Sequence, residues 1–277
     1  MSHYEKYDNT AKNYDKTRLP IGVDIIQEAF RRSDTPLEKQ IILDAGCGTG
    51  NYAMALVKDV GKLFGLEGNQ AMLQEADKKL RESSADNYEL KQGILPKLPL
   101  KDESVDGITI NQVIHHLDVE PEHPVLREFC QEAMRVLKKG GSLIINTCSH
   151  EQLKDAIWYC DFIPLAVERS VKRYPAVDLL VSMLSDCGFS ETRLTVPVEE
   201  LFFGGSYSDL DGPSKTEWRD GDSLWALLSE SELKVALEAH AQLRDSGKLP
   251  ELFERSEKRR NQIGQTVFVS TRKISPK

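Results

Sequence analysis

The feature that most constrains this chain is a regular alternation between short apolar runs of β type and segments with helical periodicity, which begins at Lys39. The first apolar run, from Ile41 to Ala45, is ended by a cluster of glycines that reaches Gly50. Parallel neighbouring strands need long crossover connections, which are usually helices, so this alternation is typical of βαβ units. We therefore predict an α/β protein with a doubly wound, largely parallel sheet.

The same pattern predicts seven strands, the last of them antiparallel and returning to the sheet edge. A loop with two prolines precedes the fourth strand, and a pair of glycines stops the helix before the fifth. The predicted strands cover residues 41–45, 62–67, 88–93, 106–113, 142–148, 193–198 and 265–273, and the clearest helices cover 51–60, 70–80, 123–137, 175–189 and 229–247.

The length of 277 residues fits one large α/β domain with additions better than two full domains. We expect an N-terminal helical lid segment over 1–38 and a cofactor-binding core over 39–200. A helical lid insertion over 201–262 and a final strand within 263–277 complete the chain. The additions are where we expect specificity to reside.

Charge and apolar content limit the classes of partner. Lys and Arg number 36 against 44 Asp and Glu, a net charge of -8, so phosphate backbones and anionic lipids are repelled. No apolar run approaches the roughly 20 residues of a membrane span, and the first residues do not read as a signal peptide. We therefore expect a cytoplasmic protein, a monomer or homodimer, that binds neither nucleic acid nor membrane.

The glycine loop is the main candidate binding feature. Its GxGxG spacing lies between a predicted strand and a predicted helix, where glycines allow a sharp turn close to a ligand. Glu67 ends the next strand, 17 residues after Gly50, and can accept hydrogen bonds from two vicinal ribose hydroxyls. This pair indicates a nucleoside-containing cofactor. A nicotinamide-dependent dehydrogenase is the runner-up enzyme, although it would prefer the longer GxGxxG loop.

At these motifs the chain resembles the class I S-adenosylmethionine-dependent methyltransferases, in their small-molecule (type 11-like) group. The resemblance is carried by LDAGCGTGNY, GLEGN and VLKKGGSLII, which occur in that order within about residues 39–148. It implies a Rossmann-like fold, S-adenosylmethionine as cofactor and methyl transfer to a small-molecule acceptor by in-line displacement under a closing lid. The opening YDNTAKNYDKTRLPIG resembles an N-terminal lid, and WRDGDSLWALLSESEL resembles a subset of the group.

The resemblance also implies roles for individual residues around the cofactor. The glycine loop and the acid before it would hold the methionine portion, Glu67 the ribose, and the end of the fourth strand the sulfonium. Two residues of the N-terminal segment would close over the cofactor. The residues so assigned are Asp44, Gly46, Cys47, Gly48, Glu67, Gly68, Asn111, Gln112, Tyr14 and Arg18.

One position departs from the pattern of the family. Many relatives carry an aspartate after the third strand that binds the adenine amino group, whereas Gly93 is followed here by Ile94 and Leu95. Main-chain groups and apolar packing around these two residues and Leu66 are therefore expected to hold the adenine ring.

His115 and His116 follow the fourth strand and are the candidate catalytic residues. Imidazole titrates near neutral pH, so either ring could deprotonate an acceptor, but a structural or cofactor-pocket role is an equal alternative. No third ligand accompanies them, so no metal site is predicted. A cysteine set could mark an arsenite methyltransferase, yet small buried thiols are the simpler interpretation of the five scattered cysteines. They are Cys47, Cys130, Cys148, Cys160 and Cys187.

The sequence leaves the acceptor undetermined. Aromatic segments over 158–175 and 201–207 follow the strand ends, where they suit either acceptor binding or lid packing. The acceptor atom could be oxygen, nitrogen, sulfur, carbon or arsenic. A non-catalytic S-adenosylmethionine-binding regulatory protein is the competing class, since a fold does not by itself imply activity.

Overall fold

A single seven-stranded sheet organises the protein. The computed structural model describes residues 19–118 and 120–274. The sheet order is β3-β2-β1-β4-β5-β7-β6, with β1 to β5 parallel and β7 antiparallel to both of its neighbours. The predicted doubly wound, mostly parallel sheet with an antiparallel last strand is confirmed. The strands are β1 Ile41–Ala45, β2 Lys62–Glu67, β3 Tyr88–Gln92, β4 Val105–Asn111, β5 Leu137–Thr147, β6 Ser190–Thr195 and β7 Val267–Arg272.

Ten α-helices lie in the described part of the chain, and short 3-10 turns join several of them. The strand order reverses between β1 and β4, and such a switch point opens a crevice at the carboxyl ends of the strands. The helices are α1 Val23–Phe30, α2 Asn51–Leu56, α3 Gln70–Glu82, α4 Pro124–Val136, α5 His150–Asp155, α6 Pro164–Val171, α7 Val177–Asp186, α8 Thr216–Arg219, α9 Glu230–Asp245 and α10 Leu249–Ile263.

Helix α3 shows how local sequence places an element beside the crevice. The Asn69 side chain accepts hydrogen bonds from the backbone N–H groups of Ala71 and Met72, which satisfies two free donors of the first turn. Met72, Ala76 and Leu80 recur at helical spacing and are buried. The Asn69 N-cap therefore lets the helix begin at Gln70, three residues after Glu67, and the apolar face of the helix holds it against the sheet.

Helix α2 ends earlier than the periodicity predicts, at Leu56 instead of Val60. The Asn87 side-chain amide donates to the carbonyls of Val57 and Val60, at 2.9 and 2.8 Å. Because a side chain far along the sequence takes up these carbonyls, the chain can leave the helix and turn into β2 without an unsatisfied acceptor.

The later strands also differ from their predicted bounds. Strand β5 begins at Leu137 and includes the glycines predicted to lie outside it; Gly140, at φ 80, sits where the pairing with β4 is interrupted. Strand β6 ends at Thr195, before Pro197, which has no N–H to donate to a ladder. The prediction that the last strand lies at the sheet edge is wrong, because β7 is inserted between β5 and β6.

The described part of the predicted N-terminal lid packs against the sheet. Ile26 and Phe30 of α1 are fully buried and share a core cluster with Ile42 and Phe268. A lid role for residues 1–38 therefore does not extend to α1.

A second hydrophobic layer, the helical cap (residues 157–171 and 201–253), has its own aromatic core. Trp158 donates its indole N–H to the carbonyl of Tyr207 at 2.7 Å, and Tyr159 meets Trp218 edge to face with 4.9 Å between ring centroids. The cap thus includes 157–171, a segment that the sequence analysis assigned to the core, in addition to the predicted insertion.

Candidate active site

A cavity of about 520 Å³ lies at the carboxyl ends of β1, β2 and β4. One wall comes from the loops that follow these strands, and the other comes from the helical cap. Tyr14 and Arg18 lie outside the described residues. The remaining predicted cofactor and catalytic residues all line this cavity: Asp44, Gly46, Cys47, Gly48, Glu67, Gly68, Ile94, Leu95, Asn111, Gln112, His115 and His116.

The glycine loop turns across the end of β2. The N–H groups of Gly46 and Cys47 both donate to the carbonyl of Leu66, at 2.7 and 3.0 Å. Gly46 and Gly48 have φ angles of 75° and 54°, which glycine adopts without strain. A Cβ on Gly48 would meet nothing within 4 Å, so the backbone there is open to a ligand.

Glu67 is held by the loop that it faces. Its carboxylate accepts the N–H of Gly48 at 2.9 Å and the N–H of Asn69 at 2.8 Å, one on each oxygen. A carboxylate has about four acceptor positions, so two remain for further donors. The geometry therefore suits a pair of vicinal hydroxyls.

Asp44 and Asn111 end the neighbouring strands β1 and β4 and are both buried. Burial, and then the charge of Glu67, raise the pKa of Asp44 to about 7, although the Asn111 hydrogen bond opposes the shift. Asp44 Oδ2 and Asn111 Oδ1 accept no hydrogen bond from the described residues. Two buried acceptor oxygens without a donor fit the ammonium group of the cofactor's methionine portion.

The raised pKa of Asp44 predicts that the affinity for the cofactor depends on pH. An ammonium group binds the ionised carboxylate, so S-adenosylhomocysteine should bind about tenfold more tightly at pH 7.5 than at pH 6, with proton release at the lower pH. The free energy of unfolding should fall as pH rises from 3.8 to about 7, because the folded protein binds this proton more tightly. Calorimetric titration across this range checks the prediction, and Asp44→Asn should flatten the affinity profile. An equally steep profile in Asp44→Asn would contradict it.

Two imidazoles and a phenol meet beside the end of β4. Tyr174 Oη lies 3.3 Å from His115 Nε2, and the two rings stack with 4.1 Å between centroids. Burial, and then the charge of Arg173, lower the pKa of His116 to about 4. His116 is therefore uncharged at neutral pH and is a weak base.

A polar chain joins this group to the sheet. Tyr174 Oη lies 3.5 Å from Gln112 Oε1, and Gln112 Nε2 donates to Asn146 Oδ1 at 3.0 Å. Asn146 in turn donates to Tyr52 Oη at 3.0 Å. Gln112 has a left-handed backbone with φ 54°, an uncommon conformation for this residue type, and such strain is often found at functional sites.

The individual residues of the helical cap that line the cavity were not predicted from the sequence. Arg219, Asp222 and Trp225 line the cavity and lie within WRDGDSLWALLSESEL, the segment that resembles a subset of the group and for which no residue role was predicted. Tyr174 also lines it and ends the aromatic segment before Pro175. The aromatic content was the available signal, but no spacing rule links these residues to β4.

Within residues 19–118 and 120–274, no three His, Cys, Asp or Glu side chains are grouped as a metal site. Burial raises the pKa of the Cys47 and Cys160 thiols, which keeps them protonated at neutral pH and disfavours soft-metal binding. In the same ranges, no helix combines the length and the apolar content that a bilayer crossing requires.

A parallel sheet with a GxGxG loop after β1, an acid at the end of β2 and a cavity at the switch point defines the nucleoside-cofactor-binding α/β class. Residues 43–145 match the family described as "Methyltransferase domain". The match spans the glycine loop, Glu67 and Asn111, so the cavity is lined by the part of the chain that is similar to methyltransferase domains.

Several curated relatives carry the name demethylmenaquinone methyltransferase, and two of them illustrate the similarity. The one from Lactococcus lactis is 30% identical over 155 residues, which cover 54% of this chain and 59% of the relative. The one from Desulfitobacterium hafniense is 25% identical over 217 residues, which cover 68% of this chain and 82% of the relative. The chain thus spans less than two thirds of the first of these proteins.

Solved structures share the fold. A protein from an antibiotic biosynthesis pathway of Anabaena variabilis, whose methyltransferase assignment is itself provisional, superposes with a TM-score of 0.73 at 22% identity, covering 92% of this chain and 99% of that one. Geranyl diphosphate C-methyltransferase from Streptomyces coelicolor, solved with S-adenosylhomocysteine, superposes with a TM-score of 0.53 at 14% identity. The superposition covers 91% of this chain and 78% of that one.

Proposed function

We propose that the protein transfers the methyl group of S-adenosylmethionine to a small organic acceptor enclosed between the cofactor loops and the helical cap. The observation that carries this proposal is the two-walled cavity, in which cap residues face the end of β4 across a space lined by the cofactor residues. Ligand sites of about 300 to 1,000 Å³ are typical of small molecules, and a volume of about 520 Å³ fits that range.

Each part of the cofactor has a matching group in this proposal. Asp44 and Asn111 hold the ammonium, Glu67 accepts the ribose hydroxyls, and Ile94 and Leu95 pack against adenine. Ile94 is 63% exposed, so a ring laid on it would cover apolar surface. When bound, the cofactor supplies an electrophilic methyl group on a sulfonium. The chain then has to align the acceptor, exclude water and remove a proton.

Tyr174 and His115 are the proposed route for that proton. An acceptor hydroxyl gives its proton to Tyr174 Oη while Tyr174 gives its own to His115 Nε2, which forms an imidazolium and leaves the acceptor oxygen free to bond the methyl carbon. His116, with a pKa of about 4, is too weak a base for this step. We therefore assign His116 a packing role beside the base.

We also propose that the helical cap closes over the bound cofactor and acceptor. The cap segment 216–225 contributes Thr216, Arg219, Asp222 and Trp225 to the cavity lining, and the chain enters and leaves the cap by way of the sheet strands β6 and β7. Movement of this segment toward the glycine loop would exclude water from the sulfonium.

Methyl transfer can be tested with labelled cofactor. The purified protein is incubated with S-adenosylmethionine carrying a labelled methyl group, first with demethylmenaquinol, the reduced form of the quinone in the name of several relatives, and then with a metabolite extract. Label on any small molecule supports the proposal. Cofactor binding without transfer to any compound would favour a regulatory protein, and failure of both S-adenosylmethionine and S-adenosylhomocysteine to bind would overturn the proposal.

The Tyr174 hydroxyl should matter for chemistry and not for cofactor binding. Tyr174→Phe keeps the ring stacked on His115 but removes the proton donor, so kcat should fall about 100-fold, the usual contribution of a positioned acid–base group. Single-turnover rates with an accepted substrate measure this loss, and calorimetry with S-adenosylhomocysteine should show an unchanged Kd. The matched control is Tyr88→Phe, whose hydroxyl bonds Asp77 on the outer side of α3. Equal rates for the two variants would exclude Tyr174 from proton transfer.

A further inference from the structure

The three tryptophans of the chain lie in or beside the same aromatic core but differ in one respect. Trp158 and Trp218 donate their indole N–H groups to backbone carbonyls, of Tyr207 at 2.7 Å and of Ser206 at 2.9 Å. Trp225 Nε1 is buried and has no acceptor among the described residues. Trp225 lines the cavity, whereas Trp218 does not.

An indole N–H can only donate, and a buried donor without an acceptor has lost the hydrogen bond that it makes with water in the unfolded chain. The Trp225 ring is 5% exposed and packs against Tyr159 and Trp218, so protein covers it on its other sides. A molecule in the cavity is therefore the available source of an acceptor atom for this N–H.

The neighbouring groups narrow the chemistry of that molecule. Asp222, buried on the same wall, is held by the Tyr159 hydroxyl at 2.5 Å and by the N–H of Leu224 at 3.2 Å. Arg219 and Asp220 also line the cavity, and the Arg219 guanidinium donates to the carbonyl of Pro213 at 2.6 Å, so the charges of this wall do not by themselves select the ligand. An ammonium group has no lone pair with which to accept the Trp225 N–H. Tyr174 and Phe202 add aromatic faces. The wall thus offers a donor to oxygen, a carboxylate to a hydroxyl and flat apolar surfaces.

We propose that Trp225 anchors the methyl acceptor through an oxygen atom, and that the acceptor belongs to the planar oxygenated class of phenols, hydroquinones and quinones. This inference rests on the proposed function, since it concerns the acceptor half of the same cavity. It makes Trp225 a specificity residue, which contacts substrate away from the reacting atoms.

The experiment follows the three indole N–H resonances by proton–nitrogen NMR in protein saturated with S-adenosylhomocysteine. The probes are naphthol, menadione and naphthylmethylammonium. Naphthol and menadione should shift the Trp225 resonance downfield and leave those of Trp158 and Trp218, already hydrogen-bonded, nearly unmoved. Trp225→Phe assigns the resonance by its disappearance.

Binding constants of the same probes give a second measurement. Trp225→Phe should weaken naphthol and menadione about tenfold, the effect of losing one hydrogen bond to a buried partner, with the affinity for S-adenosylhomocysteine unchanged. The matched control is Trp218→Phe, which loses a cap hydrogen bond but no cavity donor. If Trp225→Phe does not fold, Trp158→Phe and Trp218→Phe assign the other two resonances, and the shift of the remaining one in the unaltered protein decides the matter.

Three outcomes would overturn the inference while leaving the methyltransferase proposal intact. They are an unmoved Trp225 resonance with a bound oxygenated probe, tighter binding of the ammonium probe, and no binding of any oxygenated probe while S-adenosylhomocysteine binds. Failure of S-adenosylhomocysteine itself to bind would instead contradict the proposed function.

Discussion

Replacing Glu67 by alanine is expected to weaken S-adenosylhomocysteine binding by roughly 2 to 4 kcal/mol, which is about 30-fold to 1,000-fold in Kd. The variant loses the acceptor of two ribose hydroxyls. It also frees the N–H groups of Gly48 and Asn69, which both donate to this carboxylate, so the glycine loop loses a support on its cavity side. Titration calorimetry at fixed pH measures the change.

Glu67→Gln is the matched control for this effect. It keeps one acceptor oxygen and the side-chain volume, so its loss in affinity should be clearly smaller than that of Glu67→Ala. Circular dichroism and thermal unfolding establish that both variants fold. An unaltered Kd in a folded Glu67→Ala protein would remove Glu67 from the cofactor site.

The second large effect is expected at Gly46. A Cβ there would lie 2.8 and 3.0 Å from the two γ-methyl carbons of Val113, and the backbone has φ 75°. Left-handed backbone costs about 1 to 2 kcal/mol for a residue with a Cβ. Val113 is β-branched and stiff, so the clash adds to this, and we expect Gly46→Ala to lower the free energy of unfolding by about 2 to 4 kcal/mol in total. Urea unfolding gives the value.

Gly48→Ala is expected to affect cofactor binding more than it affects the stability of the fold. Its φ of 54° carries the same backbone cost, but its Cβ would meet no atom within 4 Å because it faces the cavity. We expect a loss of only about 1 to 2 kcal/mol in unfolding free energy together with a marked loss of cofactor affinity. Equal destabilisation of the Gly46 and Gly48 variants would contradict the packing difference, and full cofactor affinity in Gly48→Ala would contradict the placement of the cofactor.

The grouping of the glycine loop and Glu67 along one side of the cavity was predictable from the sequence, because that side is built from short-range rules. The first strand ends at Ala45 and is followed by the glycine turn at Gly46, and the second strand is followed by the helix cap Asn69. Parallel strands bring their carboxyl ends to one edge. The family resemblance assigned Asp44 and Asn111 to the methionine portion, and the pairing of β1 with β4 brings them to one end of the sheet. The raised pKa of Asp44 needed the structure, because it depends on burial and on the position of Glu67.

The acceptor half could not be predicted in the same way. Tyr174 reaches Gln112 across 62 residues of sequence, and Trp225 reaches the cavity through packing of the helical cap. Neither contact follows from periodicity or from strand order, since both depend on how one aromatic layer sits on the sheet. The early end of α2 is a smaller case, because it depends on Asn87, 30 residues from Val57.

The position of β7 affects how the sheet can form while the protein is being synthesised. Among the described strands, β6 pairs only with β7, and β7 separates it from β5. During synthesis the ribosome releases every cofactor residue and the whole cap before Val267 emerges. Until then the long, buried strand β5 presents an open edge, the kind of surface that invites pairing with other chains. A chain interrupted before β7 therefore keeps that edge exposed and becomes a target for chaperones and proteases.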